Sequence, residues 1–178
     1  MSDPGFIAQQ LNLLLTAGGY NLYNSENRAR ADDLLVREQA CAALGQAANR
    51  LSKLAADYNQ RFIPPSTREQ PFPPADKMAQ LRDLKALFDE VSLLSSRIRG
   101  MSVPTQDKVW AKFRREADML HRLLSFDYQL ISQARALDEW VEPLTVEAWT
   151  PAHPTELRRH LHELEMLARE REKFLVAV

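Results

Sequence analysis

Apolar residues recur at alternating spacings of three and four positions along most of this chain, a pattern typical of helices that pack side by side. One such series runs through residues 26–62: Cys41, Leu44, Ala48, Leu51, Ala55, Tyr58 and Phe62. Similar series start at Met78, Trp110 and Leu157. No segment shows the two-residue alternation of a half-buried strand. The pattern therefore predicts long helices and no sheet.

Prolines and glycines divide the chain into five predicted helices, over residues 4–17, 26–62, 76–99, 106–141 and 155–177. Pro4 suits a first helical turn, where an amide N–H would have no partner, and Gly18 and Gly19 end that helix. Residues 63–74 hold five of the ten prolines, so no helix crosses them. We expect one all-α domain over residues 1–178, folded as an antiparallel up-down four-helix bundle with an additional short N-terminal helix.

Charge and composition narrow the classes of function. The net charge is −1, so no overall field attracts nucleic acid or anionic lipid. The single cysteine, Cys41, excludes an intrachain disulfide and fits a reducing compartment. The first residues lack the basic region of a secretory signal, and the apolar run at residues 11–15 is far shorter than the roughly 20 residues that cross a bilayer. We expect a cytoplasmic protein that does not engage a membrane.

A metal centre in the bundle core is one alternative. Di-metal bundles place Glu-x-x-His on each of two helices and one Glu on each of the others. Here Asp118 and His121 lie three positions apart on one predicted helix, and His160 and Glu163 lie on another in reverse order. Because residue types and order depart from the motif, solvated helix faces are the preferred interpretation. We expect no cofactor. The alternative is a bundle core that binds a metal ion or a small ligand, in which case the protein would be an enzyme or a sensor.

Two further features favour structural roles. Cys41 lies on the apolar series with no histidine near it in sequence, which predicts a buried and unreactive thiol. Residues 97–115 carry six basic side chains against Asp107 alone and could contact phosphate. Trp110 and Phe113 within this stretch fall on apolar core positions, however, so nucleic-acid binding is only a weaker alternative.

The stretch that joins the first two predicted helices has the most distinctive composition. Its glycines and Asn24-Ser25 are explained as a helix stop and a helix cap, but Tyr20 and Tyr23 are not. Arg28 and Arg30 follow closely. Aromatic rings and guanidinium groups suit contacts with an anionic or aromatic partner group. We assign Tyr20, Tyr23, Arg28 and Arg30 as candidate partner-binding residues.

The charged run that begins at Arg28 also contains Asp33 and Arg37, whose spacing of four positions suits an ion pair on one helix face; such a pair contributes only a few tenths of a kcal/mol if it is exposed. Because the chain has no coherent catalytic set and no cofactor motif, we favour a non-enzymatic function in protein–protein interaction, assembly or a chaperone-like role. Apolar surface on the predicted helices 4–17 and 106–141 also suggests a homodimer.

Overall fold

A computed structural model of the protein describes residues 29–63, 65, 68, 72–104 and 107–177. These residues form five helices and no strand: α1 (Ala29–Phe62), α2 (Ala75–Arg99), α3 (Asp107–Arg115), α4 (Ala117–Val141) and α5 (His153–Val176). The predicted all-helical bundle with one extra helix is therefore confirmed. The extra helix that the structure describes is α3, since the predicted helix over residues 4–17 lies outside the described ranges.

The four long helices form a ring in the order α1, α2, α5, α4, because α1 and α5 each pack against both α2 and α4. Tyr58 near the end of α1 contacts Gln80 near the start of α2, so these two helices are antiparallel. Along α2 and α5, Glu90 pairs with Arg158 and the later residue Arg97 pairs with Glu165, so this pair is parallel.

Helices α1 and α4 are also parallel. Asp33 and Asp127 share a partner near one end of the bundle, and Arg50 pairs with Asp138 further along both helices. Two neighbouring pairs in the ring are thus parallel, which differs from the all-antiparallel neighbours of the predicted bundle. The chain crosses one end of the bundle between the diagonal helices α2 and α4, and α3 is part of that crossing.

The core contains the side chains that the spacing predicts. On α1 the predicted series is buried from Cys41 to Tyr58, and Phe62 is half-buried at the helix end. Buried apolar residues from all five helices form one cluster. The three-four periodicity therefore identified the inward face of α1 correctly. On α2 the series that starts at Met78 continues through Phe88 and Ser95, which are only half-buried, whereas Leu87 and Leu94 beside them are buried.

The predicted single helix over residues 106–141 is wrong at one point, because Glu116 has an extended backbone (φ −100°, ψ 99°) and separates α3 from α4. Phe113 is 14 positions before Asp127, so in a straight helix it would lie about 21 Å from Asp127 along the axis. Helix α5 extends only about 8 Å beyond Arg171, the residue that pairs with Asp127. A straight helix would therefore carry Phe113 past the end of α5. The break returns Phe113 to the core, where its ring packs on Phe174 at 5.4 Å. Ala117, expected on the inward face, is exposed beside this break.

Candidate functional site

Buried charged side chains meet near the end of the bundle where α1 begins and α5 ends. Arg171 of α5 is only 1% exposed. Its Nε donates to Oδ1 of Asp127 on α4 at 2.6 Å, and its Nη2 donates to Oδ1 of Asp33 on α1 at 2.7 Å. Both carboxylates are fully buried. One guanidinium therefore bridges two helices through charge-assisted hydrogen bonds, which are stronger than neutral ones.

The same cluster extends to α2 through Arg37. Oδ2 of Asp33 lies 2.9 Å from Nη2 of Arg37. Nη1 of Arg37 donates to the carbonyl oxygens of Arg99 at 2.9 Å and Met101 at 3.1 Å. The last carbonyls of a helix lack partners within it, so Arg37 satisfies the end of α2. We call Asp33, Arg37, Asp127 and Arg171 the buried ion network; it joins all four long helices.

Sequence reasoning missed Arg171, although a signal was present. The apolar series of α5 runs Leu157, Leu161, Leu164, Ala168 and Leu175, and position 171 fills its one gap. Asp127 likewise occupies a core position on α4. Opposite charges at core positions of two helices indicate a buried pair. The ion pair that the spacing of Asp33 and Arg37 predicts is present at 2.9 Å, and both side chains are buried.

Three of the four predicted partner-binding residues lie outside the residues that the structure describes. Tyr20, Tyr23 and Arg28 fall outside the described ranges. Arg30 belongs to the first turn of α1, but its side chain is not among those described. Their assignment as partner contacts therefore stays a prediction. The buried ion network begins only three positions after Arg30.

The residues considered for a metal centre lie on α4 and α5. Asp118 and Glu163 are exposed, and His121 and His160 are half-buried. Glu163 accepts a hydrogen bond from Arg159 at 2.7 Å, and Nε2 of His160 lies 3.2 Å from the same guanidinium. Among the residues that the structure describes, no group of three or more His, Cys, Asp or Glu side chains is placed to hold a metal ion.

The other two chemical candidates are packed into the fold. Cys41 is buried, and its thiol donates to the carbonyl oxygen of Ser95 at 3.2 Å. Trp110 and Phe113 are also buried, and the indole N–H of Trp110 donates to Pro104. Their rings are therefore not available as stacking surfaces for bases. This agrees with the core positions that the spacing indicated.

An open groove runs between the parallel helices α2 and α5. Two cavities of about 310 Å³ each lie along it and share Leu94, Arg97 and Glu165 as lining residues. The apolar lining consists of Leu93, Leu94, Ile98, Met101, Leu161 and Ala168. Leu93 is 54% exposed at the rim. We call this feature the α2–α5 groove.

The charged groups at the rim of the α2–α5 groove pair with one another. Arg158 pairs with Glu90 at 3.1 Å, Arg169 pairs with Glu165 at 2.8 Å, and Arg97 also contacts Glu165. The groove thus combines an apolar floor with charges that are already compensated. Such a surface suits an apolar helix face better than a charged ligand.

A larger cleft of about 530 Å³ lies between the end of α1 and the connector after α4. Three basic and three acidic side chains line it: Arg50, Lys53, Arg61, Asp57, Glu142 and Glu147. Burial alone would lower the pKa of Arg50, but hydrogen bonds and charges of Asp138 and Glu142 outweigh it and raise the pKa. Arg61 pairs with Glu147. Because equal numbers of acidic and basic side chains line the cleft, it is not a site of one sign for an ionic ligand.

No family model matches the sequence, and searches of curated proteins and of solved structures found no match. None of the described helices is long and apolar enough to cross a membrane.

Proposed function

We propose that this protein is a non-enzymatic interaction protein, acting as an assembly or chaperone-like factor, and that its partner binds in the α2–α5 groove. The observation that supports this most directly is the apolar floor of the groove beside exposed Leu93. The other apolar lining residues, except half-buried Met101, are at most 7% exposed, so Leu93 is the main apolar contact that the groove offers to a partner. A partner helix would bury its apolar face there.

The dimensions of the groove suit a helix of the partner. Its lining residues on α5 extend from Arg158 to Glu172, 14 positions apart, which is about 21 Å along a helix. That length accommodates four helical turns. Apolar anchors at positions i, i+3, i+4 and i+7 of a partner helix would face Leu94 and Leu161.

The buried ion network supports the same proposal by fixing α5. Arg171 faces α1 and α4. Glu172, the next residue, and Ala168, one helical turn earlier, line the groove. A helix held from behind loses little conformational entropy when a partner binds, which favours affinity. This gives the network a positioning role for the groove.

Affinity purification with two matched variants tests the proposal. Leu93→Asp places a charge at the groove rim, and Met166→Asp places one at an exposed α5 position that does not line the groove. We expect the proteins that co-purify with the unchanged chain to be retained by Met166→Asp and lost with Leu93→Asp. Equal recovery with both variants would contradict the groove as the binding site.

The proposal also includes a cytoplasmic location and a homodimer. The lone cysteine suits a reducing compartment, and exposed Leu34, Leu93 and Val176 provide apolar surface that self-association would cover. Light scattering after size-exclusion chromatography measures the mass directly. A mass near 20.4 kDa at high concentration would refute the homodimer.

A further inference from the structure

We propose that the proline-rich connector between α1 and α2, residues 63–74, binds a partner domain whose groove is lined with aromatic side chains. Phe72 is the apolar contact, and Arg68 is the charged one. Phe72 is 81% exposed, and no other large apolar side chain among the described residues is as exposed. This surface is separate from the α2–α5 groove, and the proposal does not depend on a partner in that groove.

Both ends of the connector are held by the bundle. At the end of α1, the ring of Phe62 packs on Tyr58 at 4.8 Å and lies 5.0 Å from the ammonium group of Lys77. At the start of α2, the backbone N–H of Met78 donates to the carbonyl oxygen of Pro74 at 3.0 Å. Phe72 therefore lies two positions before a fixed residue. A side chain presented in this way loses little conformational freedom when a partner binds, which favours affinity.

The backbone after Phe72 has the conformation that such grooves recognise. Pro74 has φ −57° and ψ 127°, close to the polyproline II values of about −75° and 145°. Phe72 and Pro73 each precede a proline, which disfavours helical and favours extended or polyproline II backbone. Polyproline II segments dock into aromatic-lined grooves because their conformation is already formed and little entropy is lost on binding.

Arg68 gives the connector a charge that sets the direction of binding. Its side chain is exposed, and Arg68, Pro71 and Pro74 follow one another at intervals of three positions. That interval is the period of a polyproline II helix and matches the proline spacing of groove-binding ligands. Arg68 precedes Phe72 by four positions, about 12 Å along such a helix. The partner groove would therefore carry an acidic residue about 12 Å from the site that holds Phe72.

Insertion of Phe72 into a lipid surface is the competing interpretation. Residues 61–77 contain three basic and two acidic side chains, so the connector and its flanks have no basic excess that anionic headgroups would attract. One aromatic ring also buries too little apolar surface for stable membrane binding. A protein groove needs neither a basic cluster nor a large apolar face, and it uses the prolines beside Phe72.

Titration of the full chain with purified SH3 and WW domains, whose grooves are lined with aromatic side chains, tests the proposal. Calorimetry identifies the domain of the panel that binds the native chain most tightly. That domain is then titrated with Phe72→Ala and with Arg68→Glu. The controls are Leu34→Ala, an exposed apolar residue of α1, and Pro151→Ala, an exposed proline in the connector after α4.

We expect Phe72→Ala to weaken the affinity at least about tenfold, because a central aromatic contact carries much of the binding energy. Arg68→Glu should weaken it about fivefold, since its charge would then repel the acidic residue of the partner. Leu34→Ala and Pro151→Ala should bind like the native chain. Circular dichroism verifies that each variant is folded.

Two results would overturn the proposal: no domain of the panel binds the native chain, or Phe72→Ala binds with native affinity. Co-sedimentation with phosphatidylserine vesicles examines the lipid interpretation, and sedimentation of the native chain that Phe72→Ala abolishes would replace the proposal. Leu93→Asp, which tests the α2–α5 groove, should bind the domain with native affinity. The two proposals can therefore fail separately.

Discussion

Arg171 occupies a core position that leucine or alanine fills elsewhere along α5, and its charge is balanced by Asp33 and Asp127. Transfer of ions from water to a protein interior costs several kcal/mol each, and only close, well-aligned partners offset that cost. Together with Arg37, which also contacts Asp33, the four groups of the buried ion network act as a unit. Removal of Arg171 takes away the cation that Asp33 and Asp127 share, and Asp33 keeps its contact with Arg37.

Truncation of Arg171 measures this dependence. We expect Arg171→Met to lower the free energy of unfolding by about 3–5 kcal/mol, because Asp33 and Asp127 lose their shared partner inside the core. The control is Arg169→Met on the same helix, whose ion pair with Glu165 is exposed and should be worth no more than about 1 kcal/mol. Urea denaturation gives both values. If the free energy of unfolding fell by a similar amount in the two variants, the buried ion network would not be the cause of the loss in Arg171→Met.

Tyr58 provides a prediction for alkaline pH. Its ring is buried in the core, and its hydroxyl donates to Oε1 of Gln80 at 2.9 Å. Burial raises the pKa of this hydroxyl above its usual value; nearby Lys77 lowers the pKa and Asp76 raises it. Above about pH 10 the unfolded tyrosine loses its proton while the folded one keeps it, so the unfolded state binds fewer protons and stability falls as pH rises.

We expect the free energy of unfolding of the native sequence to fall more steeply above about pH 10 than that of Tyr58→Phe, which has no proton to lose at this position. Below that pH, Tyr58→Phe should lose only the hydrogen bond to Gln80, about 1 kcal/mol. Urea titrations at a series of pH values measure both effects. Parallel curves for the two proteins at high pH would contradict the raised pKa.

At the scale of helices, local signals predicted α1 well and the break between α3 and α4 not at all. The proline-rich stretch that ends α1 and the spacing of its buried face are properties of neighbouring residues. Glu116, in contrast, is flanked by Arg115 and Ala117, with no proline, glycine or cap near it. The break is set by contacts distant in sequence, such as Phe113 on Phe174, and tertiary packing routinely overrides local propensity.

The same distinction applies to the candidate site. The spacing placed Asp127 on a core position of α4, and the corresponding position of α5 holds Arg171. Whether Asp127 and Arg171 pair depends on which helices are neighbours and on how those helices are offset along their axes. The two residues are 44 positions apart in the chain, so no local sequence pattern specifies the contact. The parallel arrangement of α2 and α5, which creates the groove, follows from the diagonal crossing through α3 and has no local sequence signal.

Removal of the Phe113 ring tests the role of α3. Because the ring is fully buried and contacts Phe174, we expect Phe113→Ala to destabilise the packing of α3 by about 3–5 kcal/mol. Hydrogen exchange should then become faster in residues 107–115 while the middle of α1 stays protected, since α3 packs only on one end of the bundle. The exposed neighbour Lys112→Ala should change stability by less than about 0.5 kcal/mol. Unchanged exchange in α3 would refute the packing role.

Over the whole molecule, charge is distributed in two ways that respond differently to salt. Many exposed ion pairs join neighbouring helices or successive turns, among them Arg61 with Glu147, Arg158 with Glu90 and Arg159 with Glu163. Such pairs contribute about 0–1 kcal/mol each and are screened by salt. The buried ion network is screened much less. Most of the stability should come from the apolar cluster that includes all five helices.

The salt dependence of thermal unfolding measures the balance between these contributions. We expect the midpoint temperature to change by less than about 4 °C between about 0.05 and 0.5 M NaCl, because only the weak exposed pairs are screened over this range. Arg171→Met should unfold at a lower temperature but show the same small salt dependence, since its lost contacts lie inside the core. A decrease above about 10 °C in the native protein would mean that exposed pairs carry several kcal/mol, and the fold would then depend on its surface charges more than on its apolar core.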